Sequence, residues 1–154
     1  MPYEFKVERR VEFSETDMAG IVHYSNFFKY METAEHAFYR SLGTSVVMQH
    51  VDPPLGWPRV RAECDYFRPL RFEDLIEVHM LVKEKKPKAL TYVFRFYKLN
   101  GTREEVARGS LTVVCVSHQN GGMRAVEMPR ELAEKIEVAP AELFTDLDPR
   151  ATKS

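Results

Sequence analysis

Between Asn26 and Leu42 the apolar residues Phe27, Met31, Ala34, Phe38 and Leu42 recur at intervals of three and four, with Lys29, Glu32, Thr33, His36 and Arg40 between them. That spacing draws one apolar stripe along a helix, so an amphipathic helix is predicted from Asn26 to Leu42, about 17 residues and roughly 26 Å long. Gly43 follows as a natural stop, because glycine accepts the left-handed backbone that ends many helices. Ser25 is a candidate N-cap, and Asn26 is the alternative.

Elsewhere the period is two. Val7, Val11 and Phe13 share one face of a first strand, interrupted by Arg9. After the helix, residues 44–58 hold Pro53, Pro54, Gly56, Trp57 and Pro58, which predicts a long connection with a helical turn around Val46–Gln49. Val60, Ala62, Cys64 and Tyr66 alternate with charged residues up to Pro69, and Ile76, Val78, Met80 and Val82 alternate up to the charged run Lys83–Lys88. Leu90, Tyr92, Phe94 and Phe96 form the next apolar face. Asn100-Gly101 signals a hairpin whose two central residues take positive φ, and the return strand runs from about Val106 to Ser117. Asn120-Gly121-Gly122 turns into a short strand from Met123 to Glu127, and Pro129 fits the first position of a short helix with Leu132 and Ile136 inward. One early helix followed by consecutive antiparallel strands gives an α+β fold, a curved antiparallel sheet wrapped around a long helix.

The 154 residues, 44% of them hydrophobic, suffice for one core. The expectation is a single domain over residues 1–138 and a peripheral or flexible tail over 139–154. With 22 basic against 23 acidic residues and a pI near 6.5, nothing in the charge calls for nucleic acid or a membrane surface. No apolar run is long enough to span a bilayer, and Met1–Lys6 lacks the build of a signal peptide, so a cytoplasmic protein is expected. Cys64 and Cys115 read as reduced thiols. The histidines have no metal-ligand spacing with them, so no metal is assigned.

The candidate chemistry sits where the first strand turns into the helix. Asp17 lies in that turn, and the unpaired amides that begin a helix form an anion site beside it. A capping or turn-forming role for Asp17 is the competing reading. Asp17-Met18-Ala19-Gly20-Ile21-Val22-His23-Tyr24-Ser25-Asn26-Phe27, followed by Phe28-Lys29-Tyr30-Met31-Glu32, resembles the signature of hot-dog-fold acyl-CoA thioesterases of the 4-hydroxybenzoyl-CoA thioesterase type. Cys64-Asp65-Tyr66-Phe67-Arg68-Pro69-Leu70-Arg71-Phe72-Glu73-Asp74 resembles the same family's strand and turn ahead of the hairpins.

The resemblance implies a thioesterase that needs no cofactor, takes a coenzyme A thioester, and pairs as a homodimer or homotetramer. It implies that Asp17 is the catalytic carboxylate, as nucleophile or general base, and that the Tyr24 backbone amide polarises the thioester carbonyl. Many close relatives read Tyr-His where this chain has His23-Tyr24, and some bacterial members carry a tyrosine where it has Phe13. His23 joins the catalytic candidates, with substrate binding, a bond to the carboxylate and a structural role all open. Gly20, Asn26 and Glu32 are candidate substrate-binding residues, although Asn26 equally suits fixing Asp17 or capping the helix, and Glu32 suits facing the sheet, a partner subunit, or an exposed pair with His36. Lys83, Lys85, Lys86 and Lys88, and likewise Arg59, Arg61, Arg68 and Arg71, suit either coenzyme A phosphates or a solvated surface. Trp57, Tyr66 and Phe67 suit either an acyl pocket or the core. Two alternatives stand beside hydrolysis: a non-catalytic acyl-CoA-binding or regulatory module, and a thioester dehydratase.

Overall fold

Three long strands carry the sheet, because every second residue on their inner face is apolar and buries. They are β4 (Leu75–Lys86), β5 (Ala89–Leu99) and β6 (Arg103–Val114) in a computed structural model that describes residues 2–48 and 51–145. Ile76, Val78 and Met80 on β4, and Leu90, Tyr92, Phe94 and Phe96 on β5, are almost fully shielded from water. β1 (Glu4–Arg10) pairs with β4, and β3 (Arg59–Tyr66) pairs with β6. Among the described residues the sheet is five-stranded and antiparallel, in the order β1-β4-β5-β6-β3. The short strands β2 (Leu55–Gly56), β7 (Val116–Gln119) and β8 (Gly122–Ala125) form a second, small sheet.

Helix α1 (Asn26–Ser41) lies across the inner face. The predicted stripe goes inward: Phe27, Met31, Ala34 and Phe38 are buried, joined by Tyr30 and Tyr39. Each large side chain so buried contributes about 1.5–3 kcal/mol. The Phe27 ring meets Phe96 edge to face at 5.2 Å, and the hydroxyls of Tyr39 and Tyr92 are 2.8 Å apart in the core. Met31 presses on Gly109 of β6 so closely that a Cβ there would stand 1.9 Å from its Cε. Gly43 ends the helix at φ +82°. The α+β arrangement of one long helix on an antiparallel sheet is therefore as expected.

Several details differ from the expectation, each for a local reason. Phe13 leaves the first strand and sits in a 3-10 turn (Phe13–Glu15), 74% exposed, with its ring against Phe72. Charged Lys83–Lys86 do not break β4. Solvent tolerates them on the strand, whose register shifts between Val82 and Glu84, and the turn falls at Pro87-Lys88. At Asn100-Gly101 only the glycine has positive φ, whereas at Asn120-Gly121 both residues do (51° and 77°), so the two-residue turn geometry belongs to the later pair. No helical turn forms across residues 46–48, and Met48 instead bridges Leu55; Gln49 lies outside the described residues. The expected return strand divides at Cys115 into β6 and β7. The short helix α2 (Arg130–Ala133) begins after Pro129 and turns Leu132 inward, with Ile136 buried just beyond its end. Within the expected tail, residues 139–145 are docked on the sheet: the Ala139 amide donates to Val82 O (2.9 Å), and buried Arg95 donates to Leu143 O (2.6 Å).

Candidate active site

Backbone pairing shapes the loop between β1 and α1. Val11 and Asp74 anchor its start through the Val11 amide and Asp74 O (2.9 Å), and an isolated bridge joins Thr16 to Val22. Asp17 closes a tight loop, its amide donating to Ile21 O (2.8 Å) and its carbonyl accepting from the Gly20 amide (2.9 Å). Gly20 makes that loop possible, since its φ of +81° suits a residue without a Cβ. The Asp17 carboxylate is half-buried. Its Oδ1 accepts from the Ala19 amide (2.9 Å) and, more weakly, from the Ile21 amide (3.5 Å). Its Oδ2 has no hydrogen-bond partner among the described residues.

Asp17 lines a cleft of about 460 Å³ together with Val22, Tyr24, Phe27, Tyr66 and Leu70. Phe67, Arg68 and Pro69 complete one rim. Tyr24, Phe27, Tyr66 and Phe67 give the walls an aromatic part beside the aliphatic Ile21, Val22 and Leu70, and Phe27 stands edge-on to Tyr66 at 5.0 Å. The Tyr66 hydroxyl donates to Tyr24 O (3.0 Å), tying β3 to the turn that starts α1. Burial holds that hydroxyl's pKa well above the ordinary 10.0, so it remains a donor. Tyr24 O accepts from the Phe27 amide (3.3 Å) and His23 O from the Asn26 amide (2.9 Å), yet the Tyr24 amide has no acceptor among the described residues. A hollow of about 390 Å³ at the far end of α1, between Gly43–Met48 and Pro129–Lys135, lies apart from Asp17.

Of the catalytic and substrate-binding candidates Asp17, Tyr24, His23, Gly20, Asn26 and Glu32, the first two meet on this cleft and the other four do not line it. His23 Nδ1 is 2.8 Å from Ser25 Oγ, and its ring stacks on Tyr24 at 4.6 Å, outside the cleft wall. Ser25 therefore spends its hydroxyl on His23 and does not cap the helix through its side chain. Asn26 is buried and donates from Nδ2 to Glu15 O (2.7 Å), binding loop to helix instead of capping. Gly20 shapes the loop from an exposed position. Glu32 is exposed on the outer side of α1, 3.9 Å from His36 Nε2, in the ordinary surface pairing.

The aromatic candidates divide: Tyr66 and Phe67 line the cleft, whereas Trp57 is buried against Tyr39 at 5.9 Å. Of the basic residues, Lys85 donates to Ala133 O and Ile136 O (2.7 and 2.8 Å), fastening the segment around α2. Arg59 binds the buried Glu35, and Arg68 is paired with Glu104 at the cleft rim. Burial raises the Cys64 thiol to about 12 and the Cys115 thiol to about 11. Both are free cysteines. Among the described residues no three His, Cys, Asp or Glu side chains gather as a metal site would. No described helix is long and apolar enough to cross a membrane.

The sequence reading missed the contributions of Ile21, Val22, Phe27 and Leu70 to the cleft, because apolar residues in a strand or helix give no sign of which cavity they border. It also missed Glu15, whose carbonyl and carboxylate join the loop to β1 and α1. A signal for Glu15 existed: Arg9 stands on an otherwise apolar strand face, and a guanidinium there needs a carboxylate partner.

The sequence model of the Thioesterase-like superfamily matches residues 11–136, spanning the loop, helix and sheet just described. The chain belongs to this superfamily. Its fold is the hot-dog fold. Among solved structures, this thioesterase-like chain superposes on a hypothetical protein from Aquifex aeolicus with a TM-score of 0.76 at 33% identity, covering 86% of this chain and 99% of that one. It also superposes on 4-hydroxybenzoyl CoA thioesterase from Pseudomonas sp. strain CBS-3, with a TM-score of 0.76 at 21% identity, covering 86% and 99% of the two chains. A 1,4-dihydroxy-2-naphthoyl-CoA hydrolase from Gloeothece citriformis (strain PCC 7424) is 27% identical over 109 residues, 71% of this chain and 76% of the relative.

Proposed function

We propose that this protein hydrolyses an acyl-CoA thioester to the free acid and coenzyme A, with the Asp17 carboxylate attacking or activating water and the Tyr24 amide receiving the developing oxyanion. The chain is an acyl-CoA thioester hydrolase by class, in keeping with relatives that are named for hydrolysing coenzyme A thioesters. The observation that carries the assignment of roles is the pairing of two unused groups on one aromatic-walled cleft. Asp17 Oδ2 has no partner, and neither has the Tyr24 amide at the start of α1, among the described residues.

A thioester carbon is electrophilic, and its tetrahedral intermediate places negative charge on the former carbonyl oxygen. An amide held at a helix start meets that charge without reorganising, and loss of one such donor costs about 10²–10³ in rate. Asp17 then serves as nucleophile, forming an acyl-aspartate anhydride that water resolves, or as general base for direct attack by water. The aromatic and aliphatic walls favour an apolar acyl group, and the four rings suit a flat one.

A homodimer is part of the proposal. Among the described residues β3 is paired on one side only, by β6, and its residues are mostly exposed, which leaves an open strand edge. A two-fold antiparallel pairing of two such edges centred on Ala62 would set Arg59 opposite Asp65 and Arg61 opposite Glu63, joining opposite charges. Further association to a tetramer, and a cytoplasmic setting consistent with the two free thiols, complete the reading.

The loop geometry also supports a purely structural role for Asp17, since Oδ1 organises the turn. Asp17→Asn separates the two roles, because an amide oxygen still accepts both backbone bonds while the charge disappears. Thiol release from a panel of short-chain, long-chain and aromatic acyl-CoA thioesters should fall at least about 10²-fold in Asp17→Asn, with the fold unchanged. Equal rates would remove Asp17 from the chemistry, and tight binding without thiol release by the wild type would favour the acyl-CoA-binding module.

A further inference from the structure

The two groups assigned to the reaction sit on different elements, Asp17 in a loop and the Tyr24 amide at the helix start, so something must hold one against the other. The structure puts that tie at Glu15. Its main-chain carbonyl accepts from both the Asn26 side chain (2.7 Å) and the His23 amide (2.9 Å). One residue two places before Asp17 is thereby bound to the residue just before Tyr24 and to the first residue of α1.

The Glu15 side chain is fixed from three sides. Oε1 accepts from the Tyr30 hydroxyl (2.9 Å), one turn along α1, and from the Glu12 amide (2.8 Å). Oε2 is bonded to Arg9 of β1, whose guanidinium lies over the Tyr30 ring at 4.5 Å from its centroid. This cluster is well shielded, with Tyr30 1% exposed and the Glu15 side chain 14% exposed. Burial, reinforced by the bond to Glu15, keeps the Tyr30 hydroxyl protonated far above neutral pH. Sheet, loop and helix thus meet at one carboxylate, and none of Arg9, Glu15 and Tyr30 lines the cleft.

We infer that Arg9, Glu15 and Tyr30 are positioning residues, which set the Asp17 carboxylate at its working distance from the Tyr24 amide through the doubly bonded Glu15 carbonyl. The inference rests on the roles proposed above for Asp17 and Tyr24. A capping function alone would require only the Glu12 amide bond. The added bonds to β1 and α1 do what a cap does not: they lock the loop's spacing from the helix. Because the cluster touches no substrate, loosening it should leave binding almost intact and degrade the geometry of attack.

The test is steady-state kinetics on Tyr30→Phe, Glu15→Ala and the double variant, with Asp17→Asn alongside, at a temperature where circular dichroism shows each protein folded. Tyr30→Phe removes one hydroxyl, and Glu15→Ala removes its acceptor along with the Arg9 bond. The expected result is a kcat lowered by about 10- to 10²-fold, with KM within about twofold of wild type, since misplacement by about 1 Å suffices for such a loss. The double variant should be no slower than Glu15→Ala, because Tyr30 acts through the same carboxylate, and Glu15→Gln should recover part of kcat by again accepting from Tyr30 and Glu12. Wild-type kcat in both Tyr30→Phe and Glu15→Ala, or a loss confined to KM, would overturn the inference while Asp17→Asn remains inactive. If Asp17→Asn turns over like wild type, the underlying reading falls and the inference falls with it. Should Glu15→Ala fail to fold, Tyr30→Phe alone decides, since it deletes a single atom from a packed ring.

Discussion

Replacing Arg59 with Met should be among the most damaging changes available outside the cleft. Glu35 sits on the inner side of α1 with its side chain 0% exposed, and Arg59 supplies both of its charged hydrogen bonds, from Nη1 at 3.1 Å and Nη2 at 2.5 Å. The same guanidinium donates to Trp57 O (3.2 Å), so this one residue ties β3 and the preceding connection to the helix. Breaking a buried pair by removing one partner typically costs about 3–5 kcal/mol, because the remaining charge is stranded in a poor solvent. For a chain of this size that corresponds to a fall in Tm of roughly 6–20 °C.

The pH dependence gives a sharper check. Burial raises the Glu35 carboxyl above its ordinary 4.5, although Arg59 opposes the shift; without Arg59 it should rise further. The folded variant then holds a proton that the unfolded chain releases above about 4.5, so its stability falls as pH rises and recovers as pH falls toward that value. His36, with Nε2 3.9 Å from Glu35, favours the ionised Glu35 carboxylate as Arg59 does, and nearby Glu32 opposes its ionisation. Thermal denaturation of wild type, Arg59→Met and Glu35→Met/Arg59→Met from pH 8 to pH 5, at one protein concentration, makes the measurement. The single variant should lose most at pH 8 and least at pH 5, and the double variant should regain much of the loss. A deficit below about 1 kcal/mol at pH 8, or one that does not shrink on acidification, would refute the reasoning.

Two further outcomes follow from packing and burial. Gly109→Ala places a Cβ where the Met31 tip now lies, so it should cost about 1–3 kcal/mol in thermal denaturation, and the cost should be smaller in a Met31→Ala background where the tip is absent. His79, with Nε2 2.7 Å from Glu4 Oε1 between β4 and β1, has a pKa below the ordinary 6.5 because burial outweighs its bond to Glu4. Its contribution is thus complete above about pH 6.5 and lost as pH falls through its folded value, and His79→Asn should flatten that part of a stability–pH curve.

Legibility in the sequence tracked how local each cause was. Phe27, Met31, Ala34 and Phe38 announced α1 because a helix repeats within four residues, and Ile76 through Val82 announced β4 because a strand repeats within two. Asp17 stood out because its turn joins the two patterns. The roles of Ser25 and Asn26 did not follow, since their side chains answer to His23 and Glu15 instead of the helix end. Glu32 and His23 were candidates as parts of the stretch that resembles the family signature; helix phase puts Glu32 on the exposed side of α1, and His23 bonds Ser25.

What the sequence determined by itself was therefore the long helix, the long strands, their order, the α+β class and the turn where the chemistry is assigned, all consequences of short-range periodicity. What only the tertiary structure decided was which groups meet. Tyr66 reaches Tyr24 across 42 residues, Arg59 reaches Glu35 across 24, and Tyr30 and Arg9 converge on Glu15 from a helix and a strand. Such meetings depend on how the sheet curves around the helix, a property of the assembled core that no stretch of chain carries alone.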